Sequence, residues 1–359
     1  GATRGGSVQL RALPLLWRAA NEVQIGTDPR WAVALTDLSP AAARALGGLA
    51  CGSTVRALTS ALRAEEVSAA ETAAVVAHLR AAHLIVAPST DDPSAPTRAD
   101  ARTHALLALD GDAAPTIARR ARAVVRLVGL GRTGAQLAAV LAAAGIGTLV
   151  LDDARPTRPE DVGFGGVRSA DVGRPRGQAL AATLRDARPE LRTLAPAGRS
   201  PDLVVLIEHG AADPVAYAPL LDAGVAHLTL VHREASVQVG PLTVPGRSAC
   251  PRCVDLHRAD ADPCWPALAA QLAADRGRES RTPETTLAVM AAACAAGQVL
   301  AQVDGRPAAS VNGLLEIALP LGLPVMTSLA PHPGCGCGAR LWAEAVGGGG
   351  ARRAEPEAG

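Results

Sequence analysis

Apolar positions along this chain repeat first with the period of short strands and then with that of helices. From residue 123 onward they form solid apolar runs alternating with helical stretches. Residues 8–11, 22–25 and 31–36 are strand-length runs separated by polar or glycine-containing turns, which predicts a small antiparallel sheet. Helix signals follow at Ser39-Pro40, with Ser39 as cap and Pro40 in the first turn, and over residues 53–63 and 68–83. Together these make a small winged-helix-like α+β domain over residues 1–88. The Pro-, Ser- and Asp-rich stretch 87–97 breaks the periodicity, so residues 89–122 read as a linker and connector helix.

Beyond it, residues 124–128, 148–151, 202–207 and 227–231 are buried-strand runs, with helical segments continuing to Ala144 and over 176–187 and 214–223. This alternation predicts a doubly wound, mostly parallel Rossmann-like α/β sheet. Two later strands, 236–244 and 310–319, read as antiparallel, and the Ala-rich helix 286–303 reads as a core helix because Gln298 and Gln302 interrupt it. The domain is expected to span 123–345, and the Gly/Ala/Arg/Glu tail 346–359 to be disordered.

Composition sharpens this picture. Apolar residues make up 48% of the chain but aromatics only 2%, so the cores must be built from Ala, Val and Leu with closely packed helices. The balance of 35 basic and 34 acidic residues offers no electrostatic footprint for nucleic acid or an anionic membrane. Every basic Lys-or-Arg position is Arg, which excludes Schiff-base and P-loop lysine chemistry. The opening Gly-Ala-Thr-Arg has no leader pattern, and a cytoplasmic protein is expected.

The loop Gly129-x-Gly131-x-x-Gly134 follows a strand and opens a helix, and an acidic pair, Asp152-Asp153, stands about twenty residues on. Such a loop aims backbone N–H groups and a helix dipole at an anion. The alternative is that the glycines only let helix and strand pack.

Four cysteines form two close pairs, Cys250-Pro-Arg-Cys253 and Cys335-Gly-Cys337. Each pair supplies two thiolates from one tight loop, the ligand set of a closed structural zinc site, against the alternative of a redox dithiol. Cys51 and Cys294 read as packing residues. Cys264, between Pro263 and Pro266, lies in an irregular segment where a thiol has access to react.

Taken in order, the glycine loop, Leu151-Asp152-Asp153, Val172-Gly-Arg-Pro-Arg176-Gly, the CxxC and the distant CxC resemble the ThiF/MoeB/MccB superfamily, the ubiquitin-activating-enzyme-like adenylyltransferases, over about residues 123–345. The resemblance implies ATP with Mg²⁺, adenylation of the C-terminal carboxylate of a small protein or peptide, and a homodimer. It puts the phosphates at Gly129, Gly131, Arg132 and Gly134, the ribose on Asp152, and Arg176 where the family carries a phosphate-binding lysine. In an active enzyme Cys264 would be the thioester or persulfide nucleophile.

Three departures stand out. Arg132 replaces a small loop residue, Asp161-Val-Gly-Phe164 replaces the family's Asn-x-x-Arg, and the metal-binding Asp is missing from Ile207-Glu208-His209-Gly210. Losing an Arg and a metal carboxylate from a phosphate site raises the adenylation barrier by on the order of several kcal/mol.

The N-terminal part resembles the PqqD-type elements that bind leader peptides as an added strand. That resemblance places the peptide on the edge formed by Trp31, Val33 and Leu35, beside the helix face of Val75 and Leu79. Its fusion to a ThiF-like domain resembles the partner proteins of YcaO azoline cyclodehydratases. The expectation is a leader-peptide-binding scaffold with eroded adenylation activity; the alternative is an active ATP-dependent adenylyltransferase.

Overall fold

The computed structural model describes residues 8–87, 95–163, 165–274 and 282–338, so Phe164 and the tail expected to be disordered lie outside the described residues. The chain divides into two compact units at Ile117/Ala118.

The first unit runs β1 (Gln9–Leu10), β2 (Leu15–Ala19), β3 (Glu22–Ile25), β4 (Val33–Leu35), α1 (Pro40–Gly47), α2 (Val55–Ala64), α3 (Ala69–Ala81), β5 (Ile85–Val86) and α4 (Arg98–Leu107); α5 (Ala114–Arg122) spans the division. Its helices begin where side-chain oxygens satisfy their first N–H groups: Ser39 accepts from Ala42 N–H, Thr54 from Ala57 and Ser68 from Glu71. Glu71 then accepts from Ser39 N–H at 2.7 Å, tying α3 to the start of α1.

The sheet differs from the sequence expectation. Its order is β2-β3-β4, so Leu15–Ala19 supplies a strand the pattern did not reveal. The run at 8–11 instead pairs as β1 with β5. β2 escaped notice because it is largely exposed and lacks a polar–apolar alternation. The third run shortens to Val33–Leu35, since Trp31 N–H donates to Asp28 O in the preceding turn.

The second unit contains β6 (Val124–Val128), α6 (Arg132–Ala143), β7 (Thr148–Asp152), α7 (Arg176–Ala187), β8 (Leu203–His209), α8 (Pro214–Asp222), β9 (His227–His232), β10 (Ser236–Thr243), α9 (Pro251–Ala261), α10 (Trp265–Ala274), α11 (Thr285–Val303), β11 (Gly313–Ala318) and β12 (Pro324–Ser328). They form one seven-stranded sheet in the order β12-β11-β10-β9-β8-β6-β7. β7, β6, β8 and β9 are mutually parallel, whereas β10, β11 and β12 add antiparallel. The exposed edge strand β12 carries no burial signature, and the sequence pattern missed it.

Both faces of the parallel half are covered, as solid apolar strands require. Leu203 and Val205 of β8 pack with Leu137 and Leu141 of α6, Leu180 of α7 and Leu287, Ala291, Ala295 and Val299 of α11. Val204 and Leu206 face Tyr217 of α8 instead. Alanines on α11 let that helix lie close beside α6, the packing that a chain so poor in aromatics needs. By length and composition α11 is apolar enough to cross a membrane, but this buried face belongs to the core cluster. Beneath it, Arg120 donates two bonds to Asp304, and both side chains are only 2% exposed.

Candidate functional site

Strand order reverses around β6: the connection through α6 leads to β7 on one side, and the chain then crosses back to β8 on the other. The carboxyl ends of strands part at such a switch point, and ligands of open α/β sheets bind there. A cavity of ≈ 660 Å³ opens at this place, lined by the loop after β6, the ends of β7, β8 and β9, and residues 154–161.

Two of the loop glycines are required sterically. Gly129 has φ +91°, and a Cβ on Gly134 would sit 2.2 Å from Gly129 O. Thr133, in the first turn of α6, hydrogen-bonds His232 Nε2 at 3.0 Å, and the His232 ring stacks on that of His209. Burial, with His209 adding to it, pushes the His232 pKa down to about 3, so this imidazole is neutral.

Charges around the loop are mostly paired within the chain. Asp152, the expected ribose acceptor, is half-exposed at the end of β7 and receives Arg126. Asp153 is buried and accepts from Leu130 N–H at 2.9 Å and from Arg155 through both oxygens. Burial alone would raise its carboxyl, but these bonds outweigh that and hold it below the ordinary range.

Arg176, expected at the phosphates, lines the same cavity as the glycine loop and is paired there with carboxylates. It is 7% exposed and donates to both oxygens of Asp161 at 2.7 and 3.0 Å, with Asp153 at 3.4 Å. Its positive charge, at the cavity wall, therefore faces two carboxylates that line the same cavity. Arg132 lines the cavity but is drawn sideways, donating to Glu160 O and to Thr285 Oγ1 at 2.9 Å. At the end of β8, Glu208 accepts from Asp213 N–H. The Asp153 and Asp161 contacts span 23 and 15 residues, and no local motif announces them.

The four paired cysteines converge. Cys250 Sγ lies 3.9 Å from Cys253 and 3.6 Å from Cys335, and Cys253 lies 3.7 Å from Cys337. A tetrahedral zinc with Zn–S bonds of about 2.3 Å requires sulfur–sulfur edges of about 3.8 Å, so the cluster fits structural zinc; disulfide sulfurs would be about 2 Å apart. The hydrogen bond within the first pair pulls the Cys253 thiol down and pushes Cys250 up.

Beside the cluster His332, His257 and Asp260 form a second group. His332 Nδ1 accepts from Gly334 N–H at 3.0 Å, which leaves Nε2 to donate to Asp260 at 2.8 Å. His332 thereby braces the CxC loop against α9, a role not legible in a lone loop histidine.

Elsewhere the expectations meet burial. Val75 and Leu79 are 4% and 0% exposed and Leu35 is 4%, so all three belong to the core of the first unit and offer no surface to a ligand. The helical spacing that suggested a groove is the spacing of a core-facing stripe. Trp31 and Val33 are half-buried and remain reachable. Cys264 is exposed just before α10, and Cys51 is exposed as well rather than packed, because it falls in the turn between α1 and α2.

No protein-family model matches the chain, and no curated protein matches it in sequence. Solved structures do resemble it. E. coli MccB with ATP superposes with a TM-score of 0.65 at 15% identity, covering 92% of this chain and 99% of that one. The microcin C7 biosynthetic enzyme MccB in complex with N-formylated MccA gives 0.66 at 15%, covering 92% and 99%. PaaA gives 0.65 at 16%, covering 89% and 98%. The chain thus shares the fold of MccB and PaaA.

Proposed function

We propose that this chain is a peptide-recognition scaffold for peptide modification. Its first unit takes the leader segment of a precursor peptide as an added strand at β4, beside Trp31 and Val33. Its second unit is a ThiF-like fold with eroded adenylation activity, to which a YcaO-type modifying enzyme docks. The protein works as a cytoplasmic homodimer. The observation that carries this reading is the pairing of Arg176 with Asp161 and Asp153, which neutralises at the cavity wall the cation that stands where the ThiF resemblance expects a phosphate-binding lysine. The complex of a protein of the same fold, the microcin C7 biosynthetic enzyme MccB, with N-formylated MccA is in keeping with the peptide half.

Cys250, Cys253, Cys335 and Cys337 hold a structural zinc. With four sulfurs it has no open coordination position, so it contributes stability rather than Lewis acidity. The residues present do not fit the phosphate end of ATP with Mg²⁺. The loop's Leu130 N–H and Arg176 are both engaged by carboxylates, and the end of β8 offers Glu208 and His209 where a metal-binding Asp is expected.

The test is a fluorescence titration with leader segments of candidate precursor peptides, alongside pull-down of a modifying enzyme. Micromolar binding is expected. Absence of both binding and a partner overturns the reading.

A second reading, an ATP-dependent adenylyltransferase acting on a carrier protein or peptide, is favoured by the retained glycine loop opening on a cavity large enough for a nucleotide. There the exposed Cys264 takes the activated acyl group. Exchange of labelled pyrophosphate into ATP by the wild-type chain, lost in an Arg176→Ala protein that circular dichroism shows to be folded, establishes it.

A further inference from the structure

The poor fit of the cavity to phosphate has a specific source. A glycine loop at the start of a helix holds an anion through backbone N–H groups that point out of the turn. Here the N–H of Leu130, between Gly129 and Gly131, already donates to Asp153 Oδ2 at 2.9 Å. That carboxylate is buried and is locked from its other side by Arg155 at 2.9 and 2.8 Å and by Arg176 at 3.4 Å. Asp161 closes the space further, since its Oδ1 would lie 3.6 Å from a Cβ on Gly131.

We infer that Asp153 is a resident anion: its carboxylate occupies the place beside the glycine loop that a nucleotide phosphate would take, and so excludes Mg-nucleotides from the cavity. Two negative groups at contact distance repel, the more strongly where one of them, like the Asp153 side chain, is only 2% exposed. A phosphate can take the Leu130 N–H only by displacing Asp153, which would strip that carboxylate of a hydrogen bond while leaving it buried. Asp153 is therefore the specificity-determining residue of the cavity. Changing it to Asn adds one unit of positive charge to the site and loosens Arg155 and Arg176, the two guanidiniums that now neutralise it.

This inference builds on the scaffold reading but is independent of its peptide half. Calorimetric titration of the full chain with inorganic pyrophosphate, and with ATP plus Mg²⁺, compares wild type with Asp153→Asn. The expected result is at least tenfold tighter binding of both probes by a variant whose circular dichroism matches wild type. A folded Asp153→Asn protein that binds no better than wild type overturns the inference. If the variant does not fold, the amide resonance of Leu130 in labelled wild-type protein decides: it stays in place as Mg-ATP is added if Asp153 holds the loop, and its movement at micromolar ATP overturns the inference. Wild-type protein that binds both leader peptide and Mg-ATP through Leu130 sinks this inference alone. Protein that binds neither sinks the peptide reading alone.

Discussion

Arg176 donates through Nε and Nη2 to the two oxygens of Asp161, and both side chains are buried. A planar guanidinium matched to a carboxylate in this way cannot be replaced by a point charge. Arg176→Ala leaves Asp161 charged and buried, and is expected to lower unfolding free energy by about 3–5 kcal/mol. Arg176→Lys recovers only part of that. Urea denaturation followed by circular dichroism measures both, and a neutral Arg176→Ala would show that the pair carries no structural load.

Zinc should be present at one ion per chain by elemental analysis. Removing it with a strong chelator, or changing Cys253 to Ser, leaves thiolates crowded at 3.6–3.9 Å without their counter-charge. The melting temperature should fall by roughly 10 °C, the shift that about 3–5 kcal/mol produces in a domain of this size. Unchanged melting after verified metal loss would contradict the stapling role.

Acid should destabilise the second unit well above the carboxylate range. Burial depresses both His227 and His232, the latter to about 3 from an ordinary 6.5. The unfolded chain takes up these protons near pH 6.5, while the folded chain resists until the folded value is reached. Their contribution is complete above pH 6.5 and drains away as the pH falls toward 3. Melting temperatures measured from pH 7.5 down to 4 should decline, and His232→Gln should flatten the decline. An identical slope in that variant would remove His232 from the account.

Leu79 and Trp31 should separate stability from recognition. Leu79→Ala opens a cavity in the core of the first unit and is expected to cost about 2–5 kcal/mol. Trp31→Ala removes a half-buried indole beneath the Arg30 guanidinium, and should weaken leader-peptide binding by roughly tenfold or more with a smaller effect on stability. Denaturation and peptide titration of both variants provide the comparison. Equal losses of stability and binding in both would place Trp31 in the core rather than at a recognition edge.

Much of this molecule is written locally. The run Val124–Val128 followed by the glycine loop and α6 was readable because apolar continuity, a steric need for glycine and helical periodicity all act within a few residues. The cap residue Ser39 was readable for the same reason. The two cysteine pairs were as well, because each supplies its two sulfurs from one turn.

What remained hidden depended on partners far away in the chain. β2 and β12 are exposed edge strands, and a strand that buries little leaves little pattern. The stripe of Val75 and Leu79 states that one helix face is apolar, but only tertiary packing decides whether chain or ligand covers it. Likewise an Asp two residues from an Arg reads as surface charge until folding brings Asp153 onto the N–H of Leu130, 23 residues away. Sequence by itself determined which segments fold into a doubly wound α/β sheet, since backbone sterics and hydrophobic period are local. Three-dimensional proximity decided which charges are already satisfied, since electrostatic pairing depends on distance in space rather than along the chain.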